Sequence, residues 1–349
     1  MSKILLVLLI FLAACAPWEE ENNKPNESGN KNTGIKTVLT NLHSPWDIEE
    51  SHGIFYITER EGTIVKWEEG EQKKREVVHT DKPITQKGEG GLLGFKLLPD
   101  FPENKVALAY HTYQDGDTTL NRLVVLTLEG ETWKETDVLL ERIPGAQFHN
   151  GGRIELGPDH KIYVTTGDSL NKDLAQNKQS LAGKILRLNR DGSVPKDNPF
   201  PDSYIYSYGH RNPQGLTWNE DGTLFAAEHG SDQHDEVNII TPGSNYGWPI
   251  IRGKEEKKGM ETPLFETGKN TWAPSGLAAY KGDLFIATLR GKSLQKLSFT
   301  GSNPEMVMNQ FGRLRDVEIV GDDLYIITNN TDGRGSPGAQ DDKLLKWRR

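Results

Sequence analysis

The stretch FHNGGRIEL places His149 in a polar, glycine-rich loop just before an alternating run that reads as a buried strand. An imidazole titrates near neutrality and can take a proton from a reacting hydroxyl, whereas a lone histidine can equally do no more than bond its own loop. Arginines recur at comparable places: Arg211 in GHRNPQGL, Arg313 and Arg315 in GRLRDVE, and Arg290 directly after the aromatic strand LFIATL. Converging guanidiniums repel one another unless an anionic ligand lies among them, because arginine stays charged and prefers bidentate carboxylate or phosphate. The simpler alternative gives each a local carboxylate, for instance Asp316 for Arg315. A third group, EHGSDQHDEVNIITPGSNYGWP, gathers Asp232, Asp235 and Glu236 among glycines and backbone carbonyls, the hard oxygen donors that Ca²⁺ takes. Its spacing is not that of an EF-hand, so a solvated acidic turn competes with a metal loop, and His229 and His234 lack the HxxxH or HxH spacing of a transition-metal pair.

The elements that must position these residues repeat along the chain. An apolar-alternating strand, a Gly or Asp turn and an aromatic, β-branched strand recur six times, beginning at PWDIEESHGIFYITE, GLLGFKLLPDFPENKVALAYHTY, GGRIELGPDHKIYVTTGD, PQGLTWNEDGTLFAAEHG, PSGLAAYKGDLFIATL and LRDVEIVGDDLYIITNN. Several units add a third strand, such as GTIVKW or DKLLKW. One such sheet cannot bury both faces, whereas six arranged radially bury them against their neighbours. The pattern predicts an all-β, six-bladed β-propeller of four-stranded antiparallel blades over residues 35–349. The stretch IKTVLTNL (35–42) precedes the first full unit and is expected to close the ring as the outer strand of the last blade. Loops leading into the inner strands then surround the central channel, and these loops carry His149, Arg211, Arg313 and the glycine-rich GEGGLLG around Glu89.

A net charge of −9 without a basic cluster argues against nucleic-acid binding, and 36 Gly with 18 Pro suit many short strands joined by turns. The start, MSKILLVLLIFLAACAPW, has one Lys, an apolar run too short to span a membrane and small residues before Cys15, the only cysteine. LAAC is similar to a bacterial lipobox. Residues 1–14 are therefore expected to be a lipoprotein signal peptide, with Cys15 lipidated and the polar stretch to residue 34 a flexible tether, giving an exported protein held to the membrane by its lipid anchor alone.

In order, FHNGGRIELGPDHKIYVTTGD, YGHRNPQGL, DEVNIITPGSNYGWP, WAPSGLAAY and GRLRDVE resemble the soluble quinoprotein aldose sugar and glucose dehydrogenases over roughly residues 35–347. The resemblance implies a six-bladed propeller using pyrroloquinoline quinone (PQQ) and Ca²⁺ to oxidise aldose sugars at the anomeric carbon to lactones. By position it makes His149 the general base, sets Arg211 and Asn212 beside the quinone, turns Arg313 and Arg315 to the PQQ carboxylates, and puts Arg290 where the family has a lysine. The carbonyls of Gly230 and Ser231 match the calcium ligands, with Asp235, Glu236 and Tyr246 around that site. Glu89 stands where relatives often carry Gln, which brings a carboxylate close to an anionic cofactor, and Ser231 replaces a proline. Electrons are expected to pass to a membrane quinone or cytochrome. Two other readings fit a propeller: a calcium-dependent hydrolase of the lactonase kind, with side-chain carboxylates on the axis, and a non-catalytic domain that recognises a partner protein.

Overall fold

The computed structural model describes residues 34–348 apart from residue 303; the signal segment, Cys15 and the tether before Gly34 lie outside the described residues. The chain is all-β. Strand β1 (Ile35–Leu39) precedes β2 (Pro45–Ser51), β3 (Ile54–Glu59), β4 (Thr63–Glu68) and β5 (Lys74–His79), then β6 (Leu92–Leu97), β7 (Val106–Asp115), β8 (Thr118–Glu129) and β9 (Thr132–Pro144). The third group is β10 (Ile154–Leu156), β11 (Ile162–Thr166), β12 (Lys184–Leu188) and β13 (Ile205–Tyr208), and the fourth β14 (Pro213–Trp218), β15 (Leu224–Glu228), β16 (Glu236–Ile240) and β17 (Phe265–Glu266). The last two are β18 (Pro274–Tyr280), β19 (Asp283–Thr288), β20 (Ser293–Ser298) and β21 (Glu305–Met308), and β22 (Leu314–Val320), β23 (Asp323–Thr328) and β24 (Leu344–Arg348).

Each group forms a four-stranded antiparallel meander, except that a parallel pairing of β5 with β9 joins the first two into one eight-stranded sheet. The final sheet has the order β1-β24-β23-β22, with Ile35 opposite Trp347. The first strand of each group packs on the first strand of the next, β2 on β6, β6 on β10, β10 on β14, β14 on β18, β18 on β22, and β22 back on β2. Four-stranded sheets in this cyclic order are consistent with a β-propeller. The apolar core lies between sheets: Tyr56 and Ile64 meet Phe95, Val124 and Trp133; Tyr163 and Ile185 meet Leu216 and Ala226; and Ile48 and Val65 meet Ile327 and Leu344. Period-2 alternation produces this directly, because every second side chain of a strand faces the neighbouring sheet.

The inner strands bring buried charge together. Arg153, just before β10, bonds Asp47 of β2 and Asp316 of β22 through Nη1, the latter at 3.0 Å, while its Nε donates to the Gln214 carbonyl of β14 at 3.0 Å. Elsewhere on the inner strands Lys96 lies 2.8 Å from Glu49 and 2.9 Å from Glu155, and Glu318 faces the same lysine. Three carboxyls share one ammonium. Burial raises the Glu318 pKa, Lys96 opposes this, and Glu49, Glu155 and Asp316 reinforce it. A carboxyl raised on folding stabilises the native state while it stays protonated, and that stability is lost as pH climbs above the range where the unfolded glutamate ionises. Glu318→Gln, permanently neutral, should therefore narrow the loss of stability between pH 5 and pH 8.5, by on the order of 1–2 kcal/mol. Urea unfolding at both pH values checks this; equal losses in variant and parent would refute it.

Candidate active site

His149 has a left-handed backbone, φ 60°, a conformation that costs a residue with a side chain energy and persists only where its surroundings impose it. The imposing neighbour is Gly167. A Cβ there would lie 2.0 Å from the His149 carbonyl oxygen, so the loop before β10 and the end of β11 can meet only because residue 167 lacks a side chain. Their meeting sets the next residue, Asp168, against the imidazole. His149 Nδ1 is 2.7 Å from Asp168 Oδ1, Trp248 Nε1 donates to Oδ2 at 2.8 Å, and the Asp168 amide donates to the Arg211 carbonyl at 2.8 Å. With a carboxylate as partner, Nδ1 carries the ring proton and the Nε2 lone pair becomes the basic site.

His149 lines a cavity of ≈ 500 Å³ with Glu89, Arg211, Arg290, Arg313 and Arg334, while Gly230, Ser231, Asp232 and Asp235 also contribute to the wall. Arg211 donates through Nη1 to the His229 carbonyl at 3.2 Å and lies 5.6 Å from the centre of the Trp248 ring. Its buried Nε, like the buried Nε2 of His229, has no hydrogen-bond partner. Burial pushes the His229 imidazole down, so it is neutral near pH 7. Glu89 is held down to about 2: burial works against its charge, and His229, Arg334 and the His149 amide outweigh burial. Because His229 is neutral near pH 7, Arg334 and the amide carry that effect there.

The expected arginine pair divides. Arg313 reaches the wall with Nη2 2.7 Å from Asp332 Oδ2 and with Nε and Nη1 donating to the Asn329 and Leu289 carbonyls. Arg315 is 4% exposed and lies behind the wall, donating to Gln214 Oε1 at 2.9 Å and Ser275 Oγ at 3.3 Å; burial pushes it down to about 9. Its sequence neighbour Asp316 bonds Arg153 instead. Asn212 is also behind the wall, where Oδ1 accepts the Gly151 amide at 3.0 Å and steadies the His149 loop.

In the acidic loop, Asp235 accepts the Gly230 amide at 2.8 Å on one oxygen and Thr271 Oγ1, Trp272 N and Ala273 N on the other. A carboxylate so engaged holds two loops together, while no described residue donates to the carbonyls of Gly230 or Ser231. Glu236 accepts the Gly253 amide at 2.7 Å, and burial, then Glu228 opposite it in the ladder, raises its pKa. Tyr246 donates to the Ile239 carbonyl at 2.6 Å and stacks on His210 at 4.7 Å. Glu236 and Tyr246 line a cleft of ≈ 10 Å³ shared with Gly230 and Ser231, about the room for one small species. Among the described residues, the only grouping of three imidazole or carboxylate ligands is His43, Glu59 and Glu61, outside the cavity, where Glu59 is already bonded to Arg75. The axial carboxylates Asp47 and Asp316 are likewise tied to an arginine, which does not favour a hydrolase metal there.

Sequence reasoning missed Asp168, Trp248, Arg334 and Phe148 as site residues. The signal for Asp168 was present in TTGD, an acid directly after a strand-end glycine; Arg334 gave none, because its partner Glu89 is 245 residues away.

The profile of the "Glucose / Sorbosone dehydrogenase" family matches residues 42–344. The chain is 30% identical to quinoprotein glucose dehydrogenase B of Acinetobacter calcoaceticus over 77% of its own length and 64% of that protein's. It is 29% identical to the aldose sugar dehydrogenase YliI of Escherichia coli K12, covering 86% of this chain and 91% of the other. The PQQ-bound aldose sugar dehydrogenase of Streptomyces coelicolor superimposes with a TM-score of 0.84 at 38% identity, over 89% of this chain and 97% of that one. With the profile spanning most of its length, the chain belongs to the glucose/sorbosone dehydrogenase family of oxidoreductases.

Proposed function

We propose that this protein is a PQQ- and calcium-dependent aldose sugar dehydrogenase on a six-bladed propeller, its ring closed by β1, and that it passes electrons to a membrane quinone or cytochrome. The observation that carries the reading is the His149–Asp168 pair opening onto a cavity with four arginines and two undonated carbonyls on its wall. Arg211, Arg290 and Arg313 suit a quinone bearing several carboxylates, and the unpartnered Arg211 Nε and His229 Nε2 are buried polar atoms that a ligand would satisfy. The Gly230 and Ser231 carbonyls suit a hard cation, with Glu236 and Tyr246 close behind them. Bound there, PQQ would supply a hydride acceptor and calcium the Lewis acidity that polarises it.

The chain's own residues supply the proton chemistry. His149 Nε2 takes the anomeric hydroxyl proton while the C1 hydride departs, and the hemiacetal becomes a lactone. Asp168 stabilises the imidazolium that forms, and Trp248 keeps Asp168 in place. Arg211, desolvated by burial and stacked by Trp248, sits where negative charge would grow. The LAAC motif supports export and lipid attachment at Cys15, with the polar stretch that follows as a tether to the membrane surface.

His149→Ala is expected to lower kcat by roughly 10²- to 10⁴-fold, with PQQ titrating into the variant as into the parent; near-normal turnover would return His149 to a structural role. Thorough chelation should abolish both PQQ uptake and dye-linked sugar oxidation, and full PQQ binding in chelator would remove calcium from the proposal. For the anchor, Cys15→Ser should move the activity from the membrane to the soluble fraction, and mass spectrometry of the native N-terminus decides it, an unmodified terminus beyond Cys15 ruling lipidation out.

A further inference from the structure

We propose that Arg334 and Glu89, packed over Phe148, form a latch across the cavity mouth that admits a single aldose ring and turns away chain-extended saccharides. This rests on the aldose-oxidation reading above. Arg334 lies between β23 and β24 and Glu89 just before β6, so their ion pair links the last group of strands to the second, past β2–β5. Both ends are fixed to the site. The Arg334 amide donates to Asp332 Oδ1 at 2.9 Å, and Asp332 Oδ2 holds Arg313 at 2.7 Å. On the other side Glu89 Oε2 accepts the His149 amide at 3.2 Å, and the Glu89 amide donates to the Gln147 carbonyl at 2.8 Å. The guanidinium lies 4.9 Å from the centre of the Phe148 ring.

Exposure places the pair at the solvent side: the Arg334 side chain is 46% exposed and Glu89 18%, against 9% for Arg313 deeper in the wall. Glu89, Phe148 and Arg334 line the same cavity as His149, so a sugar whose anomeric carbon met His149 Nε2 would have the rest of its ring beside this pair. A second ring, joined through a glycosidic bond, would have to occupy the space that Arg334 and Phe148 fill. Arg334 is the half-exposed member on a long side chain, so the guanidinium can turn off Glu89 for a monosaccharide and close again. A fixed wall of buried side chains could not.

The test compares kcat/KM for glucose and for maltose in the PQQ- and calcium-loaded protein. Arg334→Ala should raise the maltose-to-glucose ratio at least tenfold, mainly through a lower KM for maltose. Arg334→Lys, which keeps a cation within reach of Glu89, should stay near the parent's ratio. Glu89→Gln keeps an acceptor for the His149 amide but loses the ion pair, so it should relax selectivity too, and the double variant should add little to either single change. PQQ titration of each variant shows whether the cofactor still binds. A parent that oxidises glucose while the Arg334→Ala ratio stays within twofold overturns the latch alone; a loaded parent that oxidises neither sugar overturns the dehydrogenase reading, and the latch with it.

Discussion

The guanidinium of Arg153, sealed among the inner strands between Asp47 and Asp316, is the contact on which the rest of the molecule depends. A buried charge is tolerable only when its partners are held in place, and here they come from sheets that are remote in sequence. Asp47 also accepts the Phe95 amide of β6, and Arg153 Nε donates to the carbonyl of Gln214 on β14. From Gln214 the network continues through its side-chain oxygen to Arg315, through Arg315 to Asn329, and from the Asn329 carbonyl to Arg313 on the cavity wall. The wall that would receive a ligand is thus the outer end of the same polar network that draws the inner strands together. Loss of one member would leave other buried charges unpaired, a larger penalty than the missing bond itself.

Much of this was legible in the sequence, and the parts that were not share a physical cause. Strand periodicity announced the repeated antiparallel sheets, because alternation is a local property, and His149 stood out because its loop has the composition of a backbone forced into unusual turns. Arg315 and Asp316 show where local reading ends. They are adjacent and oppositely charged, yet successive residues in a strand point to opposite faces, so one bonds Gln214 and the other Arg153. Asp235 shows a second limit. Its neighbourhood looked like a cation loop, but an acid before a bend can also bind amides, and this one is engaged by the Gly230, Trp272 and Ala273 amides. Asp168 and the Glu89–Arg334 pair depend on which loops the packing of the sheets brings side by side, which no window along the chain displays.

The site divides into a rigid part and a softer one. His149 and Trp248, both half-buried, are fixed by short bonds to the buried Asp168, and the strained φ of His149 is held by the close approach of Gly167. A proton acceptor benefits from this, since its basic nitrogen cannot drift. The rim is built instead from longer side chains, with the Arg334 guanidinium half-exposed. In the proposed reading, chemistry rests on the part least able to move and access on the part most able to.

The pairing of β1 with β24 has a consequence for how the chain is made. A polypeptide emerging from its N-terminus produces β1 more than three hundred residues before its partner exists. Until β24 is complete, β1 has no β24 to pair with, and the core shared by Ile48, Val65, Ile327 and Leu344 lacks Leu344. Contacts of such long sequence separation form slowly and late. Strand β24 therefore completes this sheet, and a chain that lacked it would leave β1 and β23 as two edges open to other chains.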